Sequence, residues 1–427
     1  MDRFRLLIPL FVLLAVLLVT AACGGGGGDG GGETAVDDTE EKVSEVEGLV
    51  QAPGSKSAED EQARLAARLP GRLIEPRIYH TATRMNDGRV LVTGGRGRSG
   101  AGGGYTTPPG DTAEIFDPET GDWTATAPLP SAREEHRAVL LEDGRVLVTG
   151  GEGLVSNPVS TVLFDPDSET WTEAADMNSG RYSHTATVLQ DGRVLVAGGK
   201  VAFYLETTEI YDPELVEWSD AGNMAAKKAW HRATLLNDGR VLITGGKRAG
   251  TPAVAEVEIY DPASGEWSTA ASMATARNSH TANLLPDGRV LVVGGYGDDK
   301  NPVNTAEIFD PASGTWSSAG TLQEPRGDHT ATALENGNIV VAGGLGEFTL
   351  AEMFDIAAGT WSAAGNTNLA RYHHTAELLP DGTIMITGGF EGGQDGRRSD
   401  SVEVYNPDTG EWLTVGPSTV EEESEQP

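Results

Sequence analysis

The sequence predicts an all-β chain folded as a seven-bladed β-propeller with four antiparallel strands in each blade. Three observations carry this expectation. One pattern of residues recurs seven times along the chain, no helical period runs through the recurring units, and 56 of the 427 residues are glycine, about twice the usual ~7% share.

A glycine pair starts at Gly94, Gly150, Gly198, Gly245, Gly294, Gly343 and Gly388, and fourteen residues before each stands a histidine: His80, His136, His184, His231, His280, His329 and His374. Three residues before each histidine is a cation, namely Arg77, Arg133, Arg181, Lys228, Arg277, Arg326 and Arg371. After each glycine pair comes an aromatic residue (Phe116, Phe164, Tyr211, Tyr260, Phe309, Phe354, Tyr405), followed seven residues later by Trp123, Trp171, Trp218, Trp267, Trp316, Trp361 and Trp412.

Each unit divides into four short strands. In the third unit, His184–Gln190 and Arg193–Gly199 are β-rich runs joined by Asp191-Gly192, a dipeptide that predicts a tight two-residue hairpin turn. Glu206–Pro213 and a run around Trp218 supply the third and fourth strands, joined by an Asp-Pro turn. Units of this kind spaced 45 to 56 residues apart describe propeller blades. The repeats lie near 77–123, 133–171, 181–218, 228–267, 277–316, 326–361 and 371–412, giving one domain over 71–417.

The glycine pair, the aromatic and the tryptophan at fixed spacing resemble the kelch family, over about four fifths of the chain. That resemblance implies a kelch-type propeller of the superfamily that includes galactose oxidase. Many kelch rings close by completing one blade from both chain ends, whereas every blade here is complete in sequence. Closure is therefore expected from blade-to-blade packing, helped by residues 66–76 or 413–420. Galactose oxidase chemistry needs copper and a tyrosine cross-linked to cysteine; with Cys23 as the sole cysteine, the resemblance does not extend to that activity. The superfamily also holds a periplasmic epimerase acting on sialic acid, which Arg beside Glu135 or Asp328 would mimic, although no motif singles out a catalytic pair.

The N-terminus reads as an address. Arg3 and Arg5 precede an apolar run from Leu6 to Val19 and then small residues, which makes 1–22 a signal peptide. Thr20-Ala21-Ala22-Cys23 resembles a bacterial lipoprotein signal, which implies lipidation at Cys23 and a chain exported and anchored in the bacterial envelope or periplasm or on the outer face of the cell membrane. Residues 23–70 are a Gly-rich, acidic tether and 418–427 an acidic, disordered tail, both too polar to bury a core.

Composition bounds the partners. With 31 Lys+Arg against 64 Asp+Glu, the formal charge is -33, which repels nucleic acid and leaves membrane contact to the lipid anchor alone. No nucleophile elbow, phosphate loop or zinc motif appears, so no cofactor or metal is expected. His373-His374 would face opposite sides of a strand and cannot hold one ion together.

Every change in unit length falls between the glycine pair and the following aromatic, on the face where each first strand begins. Insertions confined to one face mark a binding face. The longest loops there, 96–111 and 390–400, bring Arg96, Arg98, Arg397 and Arg398 together if the first and seventh blades meet. The repeated cations either form a charged ring at this mouth or serve the fold by bonding loop carbonyls and acids. Two residues after each cation the chain does not repeat: Tyr79, Glu135, Ser183, Trp230, Ser279, Asp328 and His373. Strand alternation would point these the same way as the cations. The candidate ligand-binding set is therefore Arg77, Tyr79, Arg133, Glu135, Arg181, Lys228, Trp230, Arg277, Arg326, Asp328, Arg371 and His373. The expectation is a monomeric, non-catalytic module that binds a carbohydrate or an envelope protein. The alternatives are an enzyme acting on an acidic sugar and a structural adhesion protein.

Overall fold

The computed structural model describes residues 70–97, 108–154, 158–392 and 397–414. The signal peptide, Cys23, the tether before Pro70 and the tail lie outside the described residues. The first blade runs β1 (Thr81–Arg84), β2 (Val90–Thr93), β3 (Ala113–Phe116) and β4 (Trp123–Thr126), antiparallel in that order. The same order recurs along the chain, so the described residues form seven four-stranded sheets. The innermost strands, Thr81–Arg84, Arg137–Leu140, Thr185–Val188, Arg232–Leu235, Thr281–Leu284, Thr330–Ala333 and Thr375–Leu378, touch one another in a closed cycle, the last against the first.

Burial follows strand order. The second strands (such as VLVT, VLIT and IMIT) are buried at every position, because each sheet is covered on both faces by its neighbours. The fourth strands alternate toward solvent, and there each tryptophan leans on the aromatic of the third strand, with ring centroids 5.0–5.2 Å apart in all seven blades. Each indole N–H then reaches back to a carbonyl preceding its own blade, as Trp171 Nε1 does to Ala127 O at 2.8 Å.

The repeated histidines join blades. Each Nε2 meets a threonine of the preceding blade, from His136 on Thr81 at 2.9 Å round to His80 on Thr375 at 3.0 Å. The glycine pair makes room for that contact. At Gly94 (φ +60°), an added Cβ would lie 2.5 Å from the Arg133 carbonyl and 2.8 Å from the His136 ring of the next blade, a distance no side chain tolerates.

One expectation about loops is revised. The Asp-Gly hairpins have three residues rather than two: Leu189 N–H donates to Arg193 O, Gly192 N–H donates to Leu189 O, and Gly192 alone takes a positive φ, +82°. This is a type I turn followed by a left-handed glycine. Asp191 does not enter the left-handed region; it accepts the backbone N–H and guanidinium of Arg193 instead. The loop of the seventh blade also folds, pairing Arg371–Tyr372, Phe390–Glu391 and Arg397–Arg398 as a small three-stranded sheet.

Ring closure is carried by residues 70–76. Leu73 N–H donates to Asp400 O and Arg77 N–H to Ser399 O, Arg72 pairs with Asp400 at 2.7 Å, and Leu73 is buried beside Leu379, Met385 and Val402. Trp123 Nε1 donates to Gly71 O at 2.9 Å, the bond that other tryptophans make to a preceding blade. The segment thus supplies, without a covalent link, what the chain supplies at the other junctions.

Candidate functional site

The site is built from the residue two places after each repeated cation. All seven are in the left-handed region, with φ between 49° and 55°. That turn aims their peptide groups sideways around the ring. Glu135 N–H donates to Tyr79 O, and Ser183, Trp230, Ser279, Asp328 and His373 each donate to the preceding member, at 3.0–3.2 Å. The fold draws on the backbone here, so the side chains are free to differ. All seven line one cavity of about 190 Å³ at the mouth of the central channel.

The seven repeated cations do not line it. Arg77, Arg133, Arg181, Lys228, Arg277, Arg326 and Arg371 are at most 1% exposed and are spent inside their own blades. Arg277 shows the pattern: Nη1 donates to Gly294 O at 2.7 Å and Thr305 O at 3.0 Å, while Nη2 donates to Glu307 at 2.7 Å. Glu114, Glu209, Glu258, Glu352 and Glu403 do the same for the cations of their blades. Of the two readings of the repeated cations, they take the one that serves the fold, six in buried ion pairs and Arg133 on loop carbonyls and hydroxyls, and so they leave the ligand-binding set. The reason is the left-handed turn: it breaks strand alternation and sends the cation into the blade and its second neighbour into the channel.

Two arginines that the repeat did not single out do reach the cavity. The residue after each histidine is threonine in five blades, but Arg137 and Arg232 in the second and fourth, and both line the cavity. Arg137 Nε donates to His184 O at 2.7 Å and Arg232 Nε to His280 O at 2.6 Å. These bonds leave further N–H groups on each guanidinium for a ligand. Burial, then the charge of Arg232, pushes Arg137 down to about 10, with Glu135 opposing. Burial also lowers Arg232, with Asp328 opposing. Both stay cationic at neutral pH. The two departures in an otherwise threonine column were the available signal.

Above this floor the walls are mixed. Trp230 stands between Ser183 and Ser279 in ring order, across from Tyr79 and His373, whose rings are 4.3 Å apart. Glu135 accepts a hydrogen bond from Ser183 Oγ, and burial raises its carboxyl above the usual range. Asp328 Oδ2 is 3.5 Å from His373 Nε2 and is hydrogen-bonded to Tyr296, whose phenol is raised by burial and by that carboxylate. The Arg398 guanidinium donates to Gly97 O, so the loops of the first and seventh blades do flank each other. Arg98 lies outside the described residues. Among the described residues no three His, Cys, Asp or Glu side chains gather as metal ligands.

The cavity thus offers two cations below, two carboxylates and two serines at the sides, and aromatic rings on facing walls. Such a set can hold a small polar ring by stacking, hydrogen bonds and a charge-assisted contact to an acid group. Comparison with known proteins addresses the scaffold. A model of the KLHDC2/KLHL20/DRC7 Kelch-repeats domain matches residues 66–246 and 230–426. A solved structure of a fungal alcohol oxidase of the AA5 family, in complex with copper, is 21% identical over 80% of this chain and 76% of that one, with a TM-score of 0.61. That likeness is one of fold. No curated protein matches the chain. The matched repeats span most of its length, and the chain belongs to the Kelch-repeat family.

Proposed function

We propose that this Kelch propeller is a binding module whose axial cavity takes one unit of an acidic carbohydrate. The observation that carries the reading is the convergence of seven unrepeated side chains, on a repeated backbone belt, over Arg137 and Arg232. A cavity of about 190 Å³ suits a single sugar ring. Trp230 and Tyr79 offer stacking faces, and the arginines offer the donors that a carboxylate accepts. Calorimetry of the full chain against acidic and neutral monosaccharides tests it. Arg137→Ala and Arg232→Ala are each expected to weaken binding of an acidic sugar by ~10-fold or more. Equal affinity of parent and variants, or binding of the neutral sugar alone, refutes the reading.

One observation favours a catalytic alternative. Glu135, with its raised carboxyl, shares the cavity with the Asp328–His373 pair, as proton transfer on a bound sugar would need. Deuterium incorporation into a bound acidic sugar, followed by NMR, distinguishes turnover from binding. The module is also proposed to be exported and held at the envelope by lipid on Cys23. Mass spectrometry of the purified chain is expected to find acyl mass that Cys23→Ser lacks, and an unmodified parent rejects the anchor.

A further inference from the structure

A second unrepeated ring surrounds the first. The residue following each glycine pair is Arg96, Glu152, Lys200, Lys247, Tyr296, Leu345 or Phe390 in blade order. In the third and fourth blades, Lys200 and Lys247 exchange backbone hydrogen bonds with Tyr182 and Ala229, the residues just before the cavity positions Ser183 and Trp230. This pairing sets both lysines on the rim beside Trp230.

The two ammonium groups meet at that ring. Lys200 Nζ lies 5.9 Å from the Trp230 centroid and 5.8 Å from each of Tyr182 and Tyr204. Lys247 Nζ lies 5.4 Å from Trp230. Aromatic faces attract a cation but leave its charge uncompensated. Among the described residues, neither lysine has a carboxylate within ion-pair distance, while on the same rim Arg96 is paired with Glu134 and Arg248 with Glu256. Two neighbouring cations without an ion-pair partner, Lys200 being hydrogen-bonded to Tyr182 and drawn by the more distant Glu135, stand out in a chain with 64 acids and 31 Lys+Arg. Beside them Phe203 is 75% exposed, more than any other large apolar side chain among the described residues.

We infer that Lys200 and Lys247 form an anion subsite continuous with the axial cavity, and that the ligand is an acidic oligosaccharide rather than a monosaccharide. This rests on the reading of the cavity given above. One sugar unit occupies the cavity over Arg137 and Arg232. The next leaves past Trp230, and its carboxylate sits between the two ammonium groups. Trp230 is shared: its face is a wall of the cavity, and it is the ring on which both lysines lie.

Calorimetry of the full chain with galacturonic acid and with its linked dimer tests this. The parent is expected to bind the dimer ~10-fold more tightly than the monomer, a gain that falls as salt is raised through ~0.1 M. Lys200→Gln/Lys247→Gln is expected to abolish that gain and leave monomer affinity unchanged. Trp230→Ala is expected to weaken both probes. A parent without preference for the dimer, or a double variant that keeps it, overturns the subsite alone. If neither probe binds the parent, the cavity reading fails and the subsite with it.

Discussion

Ser279 illustrates what the left-handed cavity positions demand. Its φ is 49°, its N–H donates to Trp230 O at 3.0 Å and its carbonyl accepts from Asp328. The backbone therefore has to stay turned whatever the side chain is. None of the seven residues at this position is β-branched, in keeping with the clash that branching brings in the left-handed region. Ser279→Val is expected to lower unfolding stability by about 1–2 kcal/mol, while Ser279→Asn, which tolerates that region, stays close to the parent in urea denaturation. The sequence displayed these seven positions as unrepeated, and so as site candidates. It did not display the sign of φ, because the same residue types also occur in extended backbone. Hence the strand alternation assumed for Arg77 and Tyr79 gave the wrong partner for the cavity.

At the scale of the blade, the repeat explains itself through its one exception. Five arginines and Lys228 meet a buried glutamate on the third strand. In the second blade Val162 stands where the others have glutamate, and Arg133 instead donates to Gly150 O, Ser160 O and the hydroxyls of Ser131 and Ser160. Burial without a carboxylate pushes Arg133 down to about 10. Removing one partner of a buried pair strands the other, so Arg277→Met is expected to cost about 3–5 kcal/mol. Arg133→Met removes an uncompensated charge together with its neutral hydrogen bonds, and its cost is expected to be nearer 1–2 kcal/mol. Chemical denaturation of the two variants against the parent measures the difference. The four-strand parse, the glycine pairs and the tryptophans were legible because packing fixes residue type and spacing together. The glutamates recur two residues before the aromatic in six units, a spacing that marks the position but not its burial or its partner.

For the whole ring, the histidine belt sets the response to acid. Burial lowers all seven, His80 and His329 to about 3 and the others well below their ordinary value. The unfolded chain then binds protons that the folded ring refuses, so stability falls as pH drops below ~6.5, by about 1.4 kcal/mol per pH unit for each histidine. Glu377, on an innermost strand, acts in the opposite direction. Burial raises it from its ordinary 4.5 to about 8, so the stability it adds is full below 4.5 and is lost progressively as pH rises from there to about 8, after which it changes no further. Melting temperature is thus expected to collapse steeply below pH ~6 and to decline gently between ~6.5 and ~8, levelling off above that, with a shallower decline in Glu377→Gln. A melting temperature flat from pH ~4 to ~6 contradicts the first limb. The seven units and their order were readable from spacing alone, and 66–76 was one of the two segments expected to help the closure, but its partners were not readable. Residues 70–76 carry no copy of the repeat, and their partners Ser399 and Asp400 lie more than 300 positions away.

That closure also has a mechanical side. Six junctions between blades are spanned by continuous chain, but the seventh is held by Arg72, Leu73 and Arg77 against Ser399 and Asp400. Tension applied along the N-terminal chain therefore arrives at the clasp before it reaches any blade, and a pull from that end would peel the clasp bond by bond. The one seam of the ring with no continuous chain across it lies where such a load enters.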